Sequence, residues 1–243
     1  MIVLIAGRKG QGKSTLGLYL ATYIQKKQGA HVIPIFDPKY TYKNVPSTSD
    51  PEEFSDLLER SGFSAVAYRP LPPGTASEVK SESAMQEEFA NFMEAISIEC
   101  HLGREASAAR KNMGTVVVIV DEAWFLQAGN SIDPWLDTLV RLSDSKRLYL
   151  ILMAHRPSDF STRVRAQADE LYFFQQVLPA DLEAIRNMAG DEVAERVAAL
   201  PLHHVLRYNV ADNKAEVWDF PEGWFMAIHP SPPANTVQEV VHT

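Results

Sequence analysis

Residues 1–14 read MIVLIAGRKGQGKS. The apolar run from Ile2 to Ala6 has the character of a core strand, and it ends in Gly7-Arg8-Lys9-Gly10-Gln11-Gly12-Lys13-Ser14 with a helix-like segment directly behind. GxxxxGKS between a strand and a helix is the phosphate-binding P-loop in the context that the motif requires. Gly7, Gly10 and Gly12 allow backbone angles closed to other residues, so successive N–H groups can turn inward onto phosphate oxygens. Lys13 brings a positive charge to the β- and γ-phosphates, and Ser14 offers its hydroxyl to Mg²⁺. The helix N-terminus behind the loop adds partial positive charge. Gly7, Arg8, Lys9, Gly10, Gln11, Gly12, Lys13, Ser14 and Thr15 are therefore the expected binding residues for a nucleoside triphosphate.

Composition narrows the class. The chain has 243 residues, 46% of them hydrophobic, which suits one sizeable core and a single domain. A net charge of -8 excludes a basic coat over the whole surface. It leaves room for a few basic loops on DNA, as in a ring whose channel alone is positive. The single cysteine, Cys100, precludes an internal disulfide and suits a reducing compartment. No apolar stretch reaches the roughly 20 residues of a membrane span. The apolar start lacks the basic region of a signal peptide. These features predict a soluble, cytoplasmic protein with no transmembrane segment.

Outward from the P-loop, helix and strand signals alternate. Residues 15–28 predict an amphipathic helix closed by Gly29, and HVIPIF (31–36) predicts a strand stopped by Asp37-Pro38-Lys39. Ser49-Asp50-Pro51-Glu52 opens a helix that runs to Gly62, and SAVAYRP (64–70) is a further strand. Residues 71–83 predict an exposed loop. A long helix over 82–102 sets Phe89, Phe92, Met93, Ile96 and Cys100 on one side. TVVVIV (115–120) is the strongest strand. A helix over 133–143, the strands RLYLILMA (147–154) and ELYFFQQV (170–177), and helices over 179–188 and on to Leu200 follow. HHVLRYNV (203–210) and KAEVWDF (214–220) form a hairpin around Ala211-Asp212-Asn213. The Pro-containing tail, 229–243, reads as loose. The fold class expected is α/β, with a mainly parallel, helix-flanked central sheet in one domain, 1–228, that ends in a β-hairpin.

TVVVIV ends in Asp121-Glu122, and an all-apolar strand ending in two acids downstream of a P-loop has the form of a Walker B motif. Asp121 would share Mg²⁺ with Ser14, and Glu122 would orient or deprotonate the water attacking the γ-phosphate. The plainer reading has Asp121 only capping the next segment. Glu122 favours an ATPase over a kinase, which has to keep water out. His155, at the end of the next strand, lies at the ligand edge of such a sheet, as a phosphate sensor or as a structural residue. Arg141, Arg147, Arg156, Arg163 and Arg165 are candidates for a charge-stabilising finger reaching a neighbouring subunit's γ-phosphate, or are surface and DNA-phosphate charges. The candidate catalytic set is Lys13, Glu122, His155, Arg147 and Arg163; the metal set is Ser14 and Asp121. Trp124, Phe173 and Phe174 read as core rather than as stacking platforms for DNA bases.

GRKGQGKST, IFDPKY, AVAYRP, VVVIVDEAW and LILMAHRPSDF stand in the order and rough spacing of the FtsK–HerA superfamily of DNA-pumping ATPases, which the chain resembles over about residues 1 to 210. Asp37-Pro38-Lys39 is similar to the family's DPK element. His155-Arg156-Pro157-Ser158 resembles its Gln-Arg-Pro-Ser sensor with histidine in place of glutamine. RAQADELYFFQQVLPADLEAI is similar to its polar stretch, strand and Asp-Leu-containing helix. The sequence opens on the first core strand, which predicts a bare motor without an amino-terminal barrel, membrane anchor or winged helix. Such motors resemble the genome-packaging ATPases of viruses with an internal membrane. The resemblance implies a RecA/FtsK-like fold and ATP with Mg²⁺ at subunit interfaces. It implies a ring of identical subunits, a hexamer, acting on double-stranded DNA, with a portal or capsid-vertex protein as a further partner. It places a channel loop at Arg104 to Lys111, with Arg110 and Lys111 on DNA phosphates, or else a solvated helix end. The family's Arg-rich turn before the sensor strand is here Ser143-Asp144-Ser145-Lys146-Arg147.

Two further readings share the P-loop. One is a phage or pilus morphogenesis ATPase that moves protein, as in proteins resembling zonula occludens toxin. The other is a nucleotide-dependent switch or scaffold without mechanical work. Stimulation of hydrolysis by DNA separates the first reading from both.

Overall fold

The computed structural model describes residues 1–61, 65–70, 82–99, 115–128, 131–143 and 148–219. In chain order these form β1 (Ile2–Ala6), α1 (Lys13–Gln28), β2 (Ala30–Phe36), β3 (Ser47–Thr48), α2 (Pro51–Ser61), β4 (Ala65–Tyr68) and α3 (Glu82–Glu99). There follow β5 (Thr115–Val120), β6 (Gln127–Ala128), β7 (Ser131–Ile132), α4 (Pro134–Ser143), β8 (Leu148–Ala154), α5 (Thr162–Ala166), β9 (Glu170–Phe174), α6 (Pro179–Ala189), α7 (Asp191–Ala198), β10 (His204–Asn209) and β11 (Lys214–Asp219).

Nine strands make one sheet in the order β11-β10-β9-β1-β8-β5-β2-β4-β3. From β9 to β3 every neighbouring pair is parallel; β10 and β11 add an antiparallel edge. Parallel strands need crossover connections, and these place helices on both faces. Alternation along β1 divides the core accordingly. Ile2, Leu4 and Ala6 join the larger cluster, which includes Phe89, Phe92 and Met93 of α3 and Leu136 and Leu139 of α4. Val3 and Ile5 face the other way, onto Leu16, Leu20 and Ile24 of α1. Burying each such aliphatic or aromatic side chain contributes about 1.5–3 kcal/mol.

Local chemistry sets the element ends. Gly29 takes φ 65 behind α1, and its N–H bonds to the Gln25 carbonyl, a left-handed termination that glycine adopts without a Cβ clash. The Asp50 carboxylate accepts from the N–H groups of Glu52 and Glu53, and Asp133 does the same for Trp135 and Leu136. The expected α/β class, parallel sheet and terminal hairpin all hold, and the hairpin goes further by extending the main sheet alongside β9. Short pieces had no signal in the sequence: β3 at the sheet edge, and the β6–β7 ribbon after residues 123–126, which form a 3-10 turn. Two-residue strands carry too few side chains for a periodic pattern. Of the loop expected over 71–83, residues 82 and 83 instead begin α3; its remainder, 71–81, Cys100, the channel-loop candidate 104–111, Arg147 and the tail 229–243 lie outside the described residues.

Candidate functional site

Four adjacent strands, β1, β8, β5 and β2, point their carboxyl ends at one edge of the sheet. In doubly wound sheets this edge is where ligands sit. Here it gathers the P-loop after β1, His155 after β8, Asp121-Glu122 after β5 and Asp37-Pro38-Lys39 after β2.

The P-loop is held open from two sides. Gly10 and Gly12 take φ 82 and φ 107, the region that frees successive amides to face inward. A Cβ on Gly7 would stand 2.8 Å from Cβ and Cδ2 of Phe174, so glycine there is required by the strand packed beside it. Gln11, buried, stitches the loop: its Oε1 accepts from the Arg8 N–H, and its Nε2 donates to the Gln175 carbonyl at 3.2 Å. Arg8 and Lys9 are exposed at the rim, and the Arg8 guanidinium reaches Gln175 Oε1 at 3.4 Å. The side chain of Lys13 bends back over the loop, with Nζ 3.4 Å from the Arg8 carbonyl and 3.4 Å from His155 Nδ1. Burial lowers the Lys13 pKa, opposed by the charges of Asp121 and Glu122. Thr15 follows on the first turn of α1.

Ser14 Oγ donates to Asp121 Oδ2 at 3.2 Å, so the P-loop hydroxyl and the first carboxylate after β5 meet across the sheet edge. Asp121 is buried; desolvation, helped by the charge of Glu122, raises its pKa to about 6 against the pull of Lys13. Its Oδ1 also accepts from the Glu122 N–H at 2.9 Å. A hydroxyl and an under-compensated carboxylate side by side are a hard-oxygen donor pair that fits Mg²⁺.

Glu122 takes the left-handed conformation, φ 57, at the turn out of β5, and it is buried. Left-handed backbone is uncommon for a residue with a side chain and recurs at functional sites. Phe125 holds the turn from below, packing on Phe36 at 5.7 Å and on Phe89 at 6.4 Å between ring centres. The Glu122 carboxylate is surrounded by donors. Oε1 lies 2.8 Å from Lys39 Nζ and 3.0 Å from His155 Nε2, and Oε2 accepts from Trp124 Nε1 at 3.0 Å.

His155 thus sits between the two halves of the site, with Nδ1 on Lys13 and Nε2 on Glu122. Burial lowers its pKa; Glu122 pulls it up, and Lys13 and Lys39 push it down. Its turn is anchored from behind: Arg156 Nε and Ser158 Oγ both bond to Asp181 Oδ1 at 3.0 Å, and Asp181 is buried on α6. The Arg-Pro-Ser and Asp-Leu segments seen in the sequence are therefore two halves of one contact.

The structure brings Lys13, Ser14, Asp121, Glu122 and His155 together. The described arginine candidates have other partners. Arg163 on α5 pairs with Asp137 of α4, Arg141 pairs with the same carboxylate, Arg156 is held by Asp181, and Arg165 donates to Thr162. Trp124 corrects an expectation: it is 41% exposed rather than core, because its indole N–H reaches back to Glu122 along the surface. Phe173 and Phe174 are buried as expected. The residue that sequence reasoning gave no role is Lys39. Its only signal was membership of the DPK element, whose aspartate proves to be the anchor of the loop.

No family model and no curated protein matches the sequence. Solved structures do share the fold. The genome packaging NTPase B204 from Sulfolobus turreted icosahedral virus 2, in complex with AMPPCP, is 23% identical over 90% of this chain and 98% of that one, with a TM-score of 0.67. The DNA-packaging ATPase B204 from Sulfolobus turreted icosahedral virus is 22% identical, with the same shares covered and a TM-score of 0.64. VirB4 of Thermoanaerobacter pseudethanolicus is 12% identical over 90% of this chain and 88% of that one, with a TM-score of 0.62. The fold of this chain is that of these P-loop NTPases.

Proposed function

We propose that the chain is an ATP hydrolase that drives double-stranded DNA, as the motor of viral genome packaging. One observation carries the reading: the Ser14–Asp121 pair and the Glu122 carboxylate stand together at the carboxyl edge of the sheet, with His155 linking Glu122 to Lys13, the arrangement that phosphoryl transfer to water requires. The likeness to two packaging ATPases, one of them in complex with AMPPCP, supports the choice of ATP and of packaging.

In this reading the P-loop amides, from Gly7 to Thr15, cradle the phosphates and Lys13 neutralises charge on the β- and γ-oxygens. Ser14 and Asp121 would hold Mg²⁺, which when bound draws electron density from the transferring phosphoryl group. Glu122 orients the attacking water and takes its proton; His155 donates to the terminal phosphate or to that water. The active form is a ring of identical subunits, a hexamer, with a trans arginine completing each site. Arg163, half-exposed on α5, is a described candidate for that finger, and Arg147 the other.

Among the described residues no helix is long and apolar enough to cross a membrane. A portal or capsid-vertex protein is the further partner that packaging needs.

The test is ATPase rate per subunit against protein concentration, with and without linear double-stranded DNA. A rate that climbs with concentration and again with DNA is expected. A flat, slow rate indifferent to DNA would replace the motor with a nucleotide switch or with a protein-moving ATPase.

A further inference from the structure

We propose that Lys39 is a γ-phosphate ligand stored on Glu122: it leaves the carboxylate for the terminal phosphate when a nucleoside triphosphate binds, and frees Glu122 in doing so. This rests on the triphosphate reading of the P-loop above.

The loop that carries Lys39 is fixed at its root. The Asp37 carboxylate is fully buried and accepts from the N–H groups of Thr41 and Tyr42, at 2.8 and 3.2 Å. Arg69, at the end of the neighbouring strand β4, ties the same carboxylate to the Tyr42 carbonyl, and its guanidinium lies 5.1 Å from the ring centre of Tyr40. The Lys39 side chain, by contrast, is 54% exposed. A lysine is a point charge on a four-carbon stem, so it can change partners without moving its backbone.

Its present partners place it beside the phosphate site. The Lys13 and Lys39 ammonium groups approach opposite nitrogens of one imidazole, Nδ1 of His155 at 3.4 Å and Nε2 at 3.1 Å. Lys13 is the P-loop lysine, so Lys39 stands one ring away from the phosphate that Lys13 meets. A neutral imidazole has one acceptor nitrogen, so it cannot accept from both lysines. The contacts agree when Nδ1 accepts from Lys13 and Nε2–H donates to Glu122 Oε1. Lys39 and His155 then converge as two donors on a single oxygen, and the negative charge of Glu122 offsets the crowding of Lys39 against the ring. A terminal phosphate brings more negative charge and several acceptor oxygens, and charge-assisted bonds to it are strong. Transfer of Lys39 clears one side of Oε1 for a water, while Trp124 keeps hold of Oε2. A diphosphate lacks the group that draws Lys39 away, so it leaves Glu122 occupied.

The experiment measures dissociation constants, with Mg²⁺, for a non-hydrolysable ATP analogue and for ADP. The proteins are wild type, Lys39→Met, Lys39→Arg, Glu122→Gln, the Lys39→Met/Glu122→Gln double variant and, as a control on the nucleotide site, Lys13→Ala. Lys39→Met is expected to weaken the ATP analogue about tenfold and to leave ADP unchanged. Glu122→Gln removes the competing charge, so it tightens the analogue when Lys39 is present and has no effect when Lys39 is Met. Lys39→Arg restores part of the preference for the triphosphate. Equal weakening of both ligands by Lys39→Met, or a Glu122→Gln effect that is the same in both backgrounds, would overturn the exchange. The Lys13→Ala control separates the two levels. If wild type binds neither ligand, or binds both as well as Lys13→Ala does, the nucleotide reading itself fails.

Discussion

Arg69 Nε lies 3.2 Å from Asp37 Oδ2, an ion pair that joins the ends of β4 and β2 under the loop that presents Lys39. Asp37 is wholly inside and Arg69 is 14% exposed, so little solvent screens the pair. Removing one partner of such a pair strands the other charge, at a cost of about 3–5 kcal/mol. Arg69→Met is expected to lower the unfolding free energy by that order in urea titration. Adding Asp37→Asn should recover part of the loss, because an amide needs no countercharge. A single variant as stable as the wild type would show that the backbone N–H groups of Thr41 and Tyr42 suffice for Asp37.

Gly7→Ala tests the contact between the P-loop and β9. The added methyl would meet Phe174 at 2.8 Å, well inside van der Waals contact, and overpacking of this kind costs about 1–3 kcal/mol. The loop would shift rather than the strand, so nucleotide affinity should fall together with thermal stability. Phe174→Ala added to Gly7→Ala should restore binding more than stability. Calorimetry with and without nucleotide separates the two effects.

The sheet and the P-loop were legible because their signals are local. Five apolar residues followed by GxxxxGKS, and TVVVIV followed by two acids, declare strand ends within a few positions. The site's wiring was not legible, because each link spans a long stretch of chain: Lys39 to Glu122, Arg156 to Asp181, Asp37 to Arg69. Trp124 shows the same limit in reverse. An aromatic close behind a buried strand, four residues after Val120, reads as core by its position, whereas the left-handed turn at Glu122 leaves it exposed and bonded to that carboxylate.

Asp121 makes stability depend on pH. Burial and the neighbouring Glu122 raise its pKa from 3.8 to about 6. A raised folded-state value favours the native protein while the carboxyl is protonated. That contribution is therefore complete below about pH 3.8 and is lost as pH rises through about 6. The shift corresponds to about 3 kcal/mol at 1.36 kcal/mol per unit. In the presence of a chelator and without nucleotide, wild type should lose about that much relative to Asp121→Asn across the window. The comparison cancels the other carboxylates. Mg²⁺ with nucleotide should abolish the difference, because a cation on the carboxylate removes the reason for the shift. Parallel curves for the two proteins would mean that Asp121 is better solvated than its burial suggests.

Glu122→Gln separates binding from chemistry. The amide keeps the length of the side chain and can still accept from Trp124 Nε1, but it cannot take a proton from water. Nucleotide should bind at least as well as to wild type, while turnover falls by about 10²–10⁴, the usual contribution of a general base. Trp124→Phe probes the same carboxylate from the other side. It keeps an aromatic ring, though a smaller one, and deletes the N–H that holds Oε2 at 3.0 Å, so Glu122 loses orientation but not basicity. A fall in kcat with unchanged nucleotide affinity is expected, smaller than that for Glu122→Gln. In Trp124→Phe/Glu122→Gln the tryptophan should have no further effect on rate, since its role is exerted through the carboxylate. Undiminished turnover in Glu122→Gln would remove this residue as the base; additive losses in the double variant would give Trp124 a role of its own.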